Sequence, residues 1–261
     1  MTPTADLSDA QPAVIPGAEP WSAEGTNGHG VLVLHGFTGN THSMRGLAKA
    51  FHAAGYTVDL PLLPGHGTNS DDLATTSWDD WSGCAEAAYE ALAASADKVV
   101  VAGLSMGGAL TCWLATRHPE IAGIVCVNPA TQVSPEMRGF VEQMVEAGEE
   151  MMPGIASDIA APDTVELGGY ETAPIKALLS MFDAAEAFGQ DFPKIACPVL
   201  LMTSPQDHVV PPTDSDHLAA SVSGPVERVT LERSFHVATL DYDKDLIEAH
   251  AVAFADRVTG A

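Results

Sequence analysis

From residue 30 to the C-terminus, short apolar runs alternate with segments of helical periodicity, a pattern that points to a parallel sheet covered by helices. Val31 to Leu34, then Met44, Leu47 and Phe51 at helical spacing, then Tyr56 to Leu60 compose a βαβ unit. A helix follows from about Trp78 to Ala93, a strand from Lys98 to Leu104, a helix from Met106 to Arg117 and a strand from Ile121 to Val127. These strands are apolar along almost their whole length, as strands are when helices bury both faces of a sheet.

The alternation breaks between about Ala130 and Pro193, where two amphipathic helices and no strand are expected. It resumes with a strand over Cys197 to Thr203, a helix over Pro212 to Ala220, a strand over Val226 to Glu232 and a final helix over Lys244 to Val258. A helical block inserted between the later strands of a doubly wound sheet stands above their carboxyl ends, where such folds bind ligands, so residues 131–192 read as a cap. Residues 1–12 are polar, acidic and aperiodic and read as a flexible tail. Residues 13–261 then constitute one α/β domain, an ordinary size for a single core.

Eleven basic residues against thirty-five acidic ones give a net charge of -24. That field repels nucleic acid and anionic membrane surfaces and favours a neutral small-molecule substrate, an ester or a lipid. Cys84, Cys112, Cys126 and Cys197 are widely spaced in apolar surroundings and read as reduced fillers, with neither disulfide nor metal spacing. The N-terminus lacks the basic and apolar regions of a secretory signal. Apolar runs such as Val99 to Leu104 fall far short of the roughly 20 residues that span a bilayer. A cytoplasmic protein without stable membrane insertion is expected.

The sharpest local motif is Gly103-Leu-Ser105-Met-Gly107, between an apolar strand and a helical run. This is the G-x-S-x-G nucleophile elbow, whose tight turn leaves no room for side chains two residues either side of the serine. A serine needs a histidine base and an acid that orients it. In this arrangement the acid follows a late strand and the histidine follows the last one. Asp207, after the strand ending at Thr203, and His236, after the strand ending at Glu232, fit that order. His208, His217 and His250 fit it less well, and Asp214 and Asp216 fall within a helix, where a solvated face is the simpler reading. The run Leu34-His-Gly-Phe37 ends the first clear strand, so the backbone amides of Phe37 and Met106 are the expected oxyanion donors. His66, in a Pro- and Gly-rich loop, reads as structural.

Within the insertion, Met137, Phe140, Val141, Met144 and Val145 recur at helical spacing, as do Ile175, Leu178, Leu179 and Phe182. These faces either pack on the domain below or line an acyl pocket; Met137, Phe140, Met144 and Phe182 are the candidate substrate contacts.

The motifs His35-Gly-Phe-Thr-Gly39, Gly65-His-Gly67, Asp79-Asp-Trp81, Gly103-Leu-Ser-Met-Gly-Gly108, Asp207 with Val209-Val210, and Ser234 to Asp245 together resemble the bacterial carboxylesterase and monoacylglycerol lipase group of α/β-hydrolases. The resemblance runs over nearly the whole chain after the tail and is weakest in the cap. It implies an α/β-hydrolase fold, no cofactor or metal, a Ser105, Asp207, His236 triad, and short- to medium-chain esters or monoacylglycerols as substrates. A thioesterase or amidase with the same triad, or a low-turnover ligand-binding relative, stands as an alternative.

Overall fold

A computed structural model describes residues 12–154 and 157–261. The polar tail read over 1–12 lies, except for Pro12, outside the described residues.

Seven strands compose the central sheet in the order β1-β3-β2-β4-β5-β8-β9. They are β1 (Trp21–Ala23), β2 (Gly30–Leu34), β3 (Thr57–Leu60), β4 (Val99–Leu104), β5 (Gly123–Val127), β8 (Val199–Thr203) and β9 (Val226–Thr230). β1 pairs antiparallel with β3, and every other pairing in the sheet is parallel. The mostly parallel doubly wound sheet expected from the alternation is the one observed. β1 was not anticipated, because three residues are too few to display a period-two pattern.

The four central strands β2, β4, β5 and β8 are buried at every residue. Their side chains alternate between two cores, as strand geometry requires. Leu32, Leu34, Val101 and Ile124 face one core, shared with Trp81 and Tyr89 of α3 (Trp78–Ala93) and Leu110 and Leu114 of α4 (Met106–Arg117). Val31, Val33, Val100 and Val125 face the other, shared with Phe51 of α1 (Arg45–Ala53) and Phe254 of α8 (Lys244–Thr259). Burying each such side chain stabilises the fold by about 1.5–3 kcal/mol, which is why fully apolar strands define the sheet centre. Edge strand β9 has no fully buried residue and carries Glu227 and Arg228.

α3 begins with a reciprocal capping box, Ser77 and Asp80 each satisfying the other's backbone N–H. α2 (Ser70–Leu73) and α7 (Pro212–Ser221) complete the helices outside the insertion.

Between β5 and β8 lies the insertion, with α5 (Pro135–Glu146), β6 (Met151–Pro153), β7 (Thr172–Pro174) and α6 (Ile175–Gly189). β6 and β7 pair antiparallel, which corrects the expectation of an all-helical block. Each is three residues long and contains a proline, and such a sequence carries no strand signal. α6 packs into the domain through Ile175, Ala177, Leu178, Met181, Phe182, Ala185 and Phe188. α5 rides outside and buries only Val141.

Candidate active site

β4 delivers Ser105 to the carboxyl edge of the sheet, and α4 starts at the next residue. Ser105 holds φ 57°, ψ -119°, a region that costs a non-glycine residue about 1–3 kcal/mol. The glycines two residues to either side make the turn feasible. A Cβ at position 103 would lie 2.1 Å from the Gly107 carbonyl oxygen, and one at 107 would lie 2.2 Å from that of Leu34. The backbone is held by the Ser105 N–H donating to Val127 and the Ser105 carbonyl accepting from Ala109 and Ala130. The first amides of α4, Met106 included, have no acceptor within their own helix and present the positive end of its dipole beside the serine.

Asp207 and His236 come from loops after β8 and β9. Nδ1 of His236 donates to Oδ2 of Asp207 at 2.7 Å, and their side chains are 7% and 1% exposed. Oδ1 of Asp207 accepts the backbone N–H of Val209 and of Val210, each at 2.8 Å. The carboxylate is therefore acceptor to the ring, which puts the proton on Nδ1 and leaves Nε2 as the acceptor. Asn128, at the end of β5, donates through Nδ2 to the carbonyl of His236 at 2.8 Å and to Ser204 Oγ at 3.0 Å. It accepts the Ser204 N–H at 2.8 Å, so one amide joins β5, β8 and the histidine loop. Sequence reasoning passed over Asn128; its signal was a polar residue ending an apolar strand.

The competing side chains sit elsewhere. His208 is exposed and pairs with Asp158, and Asp216 pairs at the surface with Arg228. Asp214 departs from the solvated face expected for it: it is 5% exposed, and its Oδ2 accepts the N–H of Thr131 at 3.2 Å and of Gln132 at 3.0 Å.

Phe37 follows β2 on the loop His35 to Asn40. His35 is fully buried; its Nδ1 donates to Gly36 and its Nε2 accepts the Leu63 N–H at 3.1 Å. Burial pushes its pKa down to about 4, so the ring is neutral and rigidly placed at neutral pH. His66 is buried against the edges of His35, Phe37 and Trp81, and burial pushes it well below its ordinary value, with His35 adding to the effect.

A cavity of about 430 Å3 opens over these groups. Gly36, Phe37, Ser105 and His236 line it on the sheet side, and Met137, Leu178, Met181, Phe182 and Ala185 line it from the insertion. Of the four proposed substrate contacts, Met137 and Phe182 border this space. Phe140 and Met144 do not: Phe140 is 54% exposed, and Met144 packs against the core. Both share the apolar stripe of α5, but the face of that helix turned to the cavity is narrower than the stripe. Glu166, also missed from sequence, brings a carboxylate into the same space, where burial pushes its pKa up while Ser43 and His236 lower it. Among the described residues, no group of three or more His, Cys, Asp or Glu side chains is set to hold a metal ion. Also among them, no helix is long and apolar enough to cross a membrane.

The family described as serine aminopeptidase, S33, matches residues 27–243. The thermostable monoacylglycerol lipase of Bacillus sp. (strain H-257) is 42% identical over 258 residues, 97% of this chain and 100% of its own length. The carboxylesterase of Bacillus subtilis (strain 168) is 26% identical over 240 residues, 87% and 92% of the two chains. A solved structure from work on LipS and LipT, two metagenome-derived lipolytic enzymes, superposes with a TM-score of 0.88 at 40% identity, covering 94% of this chain and 100% of that one. The monoacylglycerol lipase of Paleococcus ferrophilus shares the fold, with a TM-score of 0.74 at 20% identity over 93% of this chain and 100% of its own. The α/β-hydrolase fold expected from the order of motifs is thus the fold observed, and the chain belongs to the serine aminopeptidase, S33, family of α/β-hydrolases.

Proposed function

We propose that this chain is a serine hydrolase that cleaves carboxylic esters of short- to medium-chain acyl groups, monoacylglycerols among them. The observation that carries the reading is the buried 2.7 Å bond between His236 and Asp207, facing the same largely apolar cavity as the strained Ser105. A cavity of this size accommodates a small acyl ester.

In the proposed cycle, Nε2 of His236 takes the hydroxyl proton as Ser105 Oγ attacks the ester carbonyl. The amides of Phe37 and Met106 donate to the oxyanion, and Asp207 stabilises the imidazolium. The tetrahedral intermediate collapses, His236 protonates the departing alcohol, and an acyl-enzyme remains. His236 then activates water, and the acyl group leaves as a carboxylic acid. Met137, Phe182 and their neighbours shelter the acyl chain, and Glu166 offers an acceptor for hydroxyl groups on the alcohol side, in keeping with a polyol ester. Four free thiols, with Cys112 and Cys126 sulfurs 3.8 Å apart and unbonded, fit a reducing compartment, and we assign the chain to the cytoplasm.

Hydrolysis of p-nitrophenyl esters from acetate to palmitate, and of monoacylglycerols, by the wild type and Ser105→Ala tests this reading. Turnover that peaks at one chain length and vanishes in the variant is expected. The family description favours amide hydrolysis as a second reading, and an aminoacyl p-nitroanilide run alongside distinguishes the two: faster anilide than ester turnover would replace the ester assignment.

A further inference from the structure

Residues 157–171 of the insertion, leading into β7, are sewn to the loops that carry the candidate catalytic groups. Tyr170 N–H donates to the Thr38 carbonyl, and the Leu167 carbonyl accepts from Asn40 Nδ2. Asp241, from the histidine side, accepts the N–H of Ala160 at 2.7 Å, of Ala161 at 3.0 Å and of Phe235 at 2.9 Å. Asp158 makes the reciprocal reach. Its Oδ2 accepts the backbone N–H of His236 and of His208, each at 3.1 Å. Its Oδ1 lies 2.9 Å from Nδ1 of His208, and its own carbonyl accepts from Val237 at 3.0 Å. The side chain is 15% exposed.

His208 directly follows Asp207, so one carboxylate of the insertion bridges the loop of the acid and the loop of the base. Ser204 Oγ and Gln206 Nε2 also tie these loops, donating to the carbonyls of Phe235 at 2.9 Å and Glu232 at 3.1 Å, whereas Asp158 holds the residue next to the acid and the base itself. Asp207 is pinned to its own loop by Val209 and Val210, which fixes the carboxylate but not its separation from the imidazole. Asn128 holds the carbonyl of His236 from the sheet, and Asp158 holds its N–H from the insertion. A carboxylate this sheltered is costly to bury unless it is hydrogen-bonded, and its partners here are the amides of His208 and His236 and the His208 ring.

We propose that Asp158 is a positioning residue for the triad, coupling the cap to the chemical step and not only to the choice of substrate. This rests on the ester-hydrolase reading. Asp158→Ala, Asp158→Asn and the wild type are compared on p-nitrophenyl acetate and octanoate. In Asp158→Ala, kcat is expected to fall on the order of tenfold to a hundredfold, as misplacing a reacting group does. The factor is the same on both esters and KM is unchanged. Asp158→Asn recovers most of the loss, since its amide oxygen still accepts both N–H groups. An Ala variant with wild-type kcat, a loss confined to KM or to the longer ester, or an Asn variant as impaired as Ala overturns the proposal. Should the Ala variant fail to fold by circular dichroism, Asp158→Ser, too short to bridge both amides, replaces it. Labelling of Ser105 by a fluorophosphonate, which needs the serine and histidine but no ester, should slow by the same factor. If the wild type cleaves no ester yet labels, and the Ala variant labels more slowly, the ester reading fails and the positioning role stands; equal labelling rates sink the positioning role.

Discussion

Asp214 lends itself to a stability test that needs no substrate. Burial raises its carboxyl from an ordinary 3.8 to about 6; the N–H groups of Gln132 and Thr131 and the nearby His217 oppose the rise, and the charge of Asp207 adds to it. Because the folded value lies above the unfolded one, the group contributes stability that is fully present below 3.8 and is lost as pH rises through about 6. Once ionised, it leaves the folded state poorer by ~2–3 kcal/mol. Asp214→Asn keeps an amide oxygen for the Thr131 and Gln132 N–H groups and removes the charge. The stability of the variant relative to the wild type should therefore increase between about pH 5 and about pH 7.5, by about 1 kcal/mol. For a chain of this length that is an extra ~2–4 °C in Tm. Scanning calorimetry of both proteins across that range measures it. A Tm difference that stays constant, or that moves against the variant as pH rises, would refute the argument that a buried charge is being carried there.

Three further changes separate the roles of other groups. Asp207→Asn keeps an oxygen for the Val209 and Val210 amides but disfavours the tautomer with the proton on Nδ1 of His236, so kcat for p-nitrophenyl esters should drop by about 10³–10⁴-fold with Tm nearly unchanged; a loss below about tenfold would count against the triad. Phe182→Ala opens the insertion side of the cavity and should shift the preferred acyl chain to greater length, at a cost of about 3–5 kcal/mol in stability, whereas Phe140→Ser, on the exposed face of α5, should leave the chain-length profile as it is.

Much of the fold was legible because its signals are local. The apolar runs of β2, β4, β5 and β8 and the stripe of α6 are periodicities read within ten or fifteen residues. The elements that escaped, β1, α2, β6 and β7, are three or four residues each, and the strands among them owe their pairing to partners well beyond the reach of a local pattern. The α5 stripe was legible as amphipathic, but amphipathicity cannot say whether an apolar residue meets the core, a cavity or solvent, and Phe140, Met144 and Met137 divide among the three. Asp214 illustrates the same limit in reverse: a charged residue in the first turn of a helix looks solvated until the start of the insertion, 83 residues earlier, folds onto it.

The sequence by itself determined a parallel sheet, the tight turn at Ser105 with its two flanking glycines, and the chain order of the candidate serine, aspartate and histidine, because each is encoded by spacing along the backbone. Only the tertiary structure decided which polar side chains surround those groups. Asn128 meets His236 across 108 residues and Asp158 meets it across 78. At such separations no periodicity connects the partners; the contact exists because the sheet order brings β5, β8 and β9 side by side and returns the insertion to their carboxyl edge.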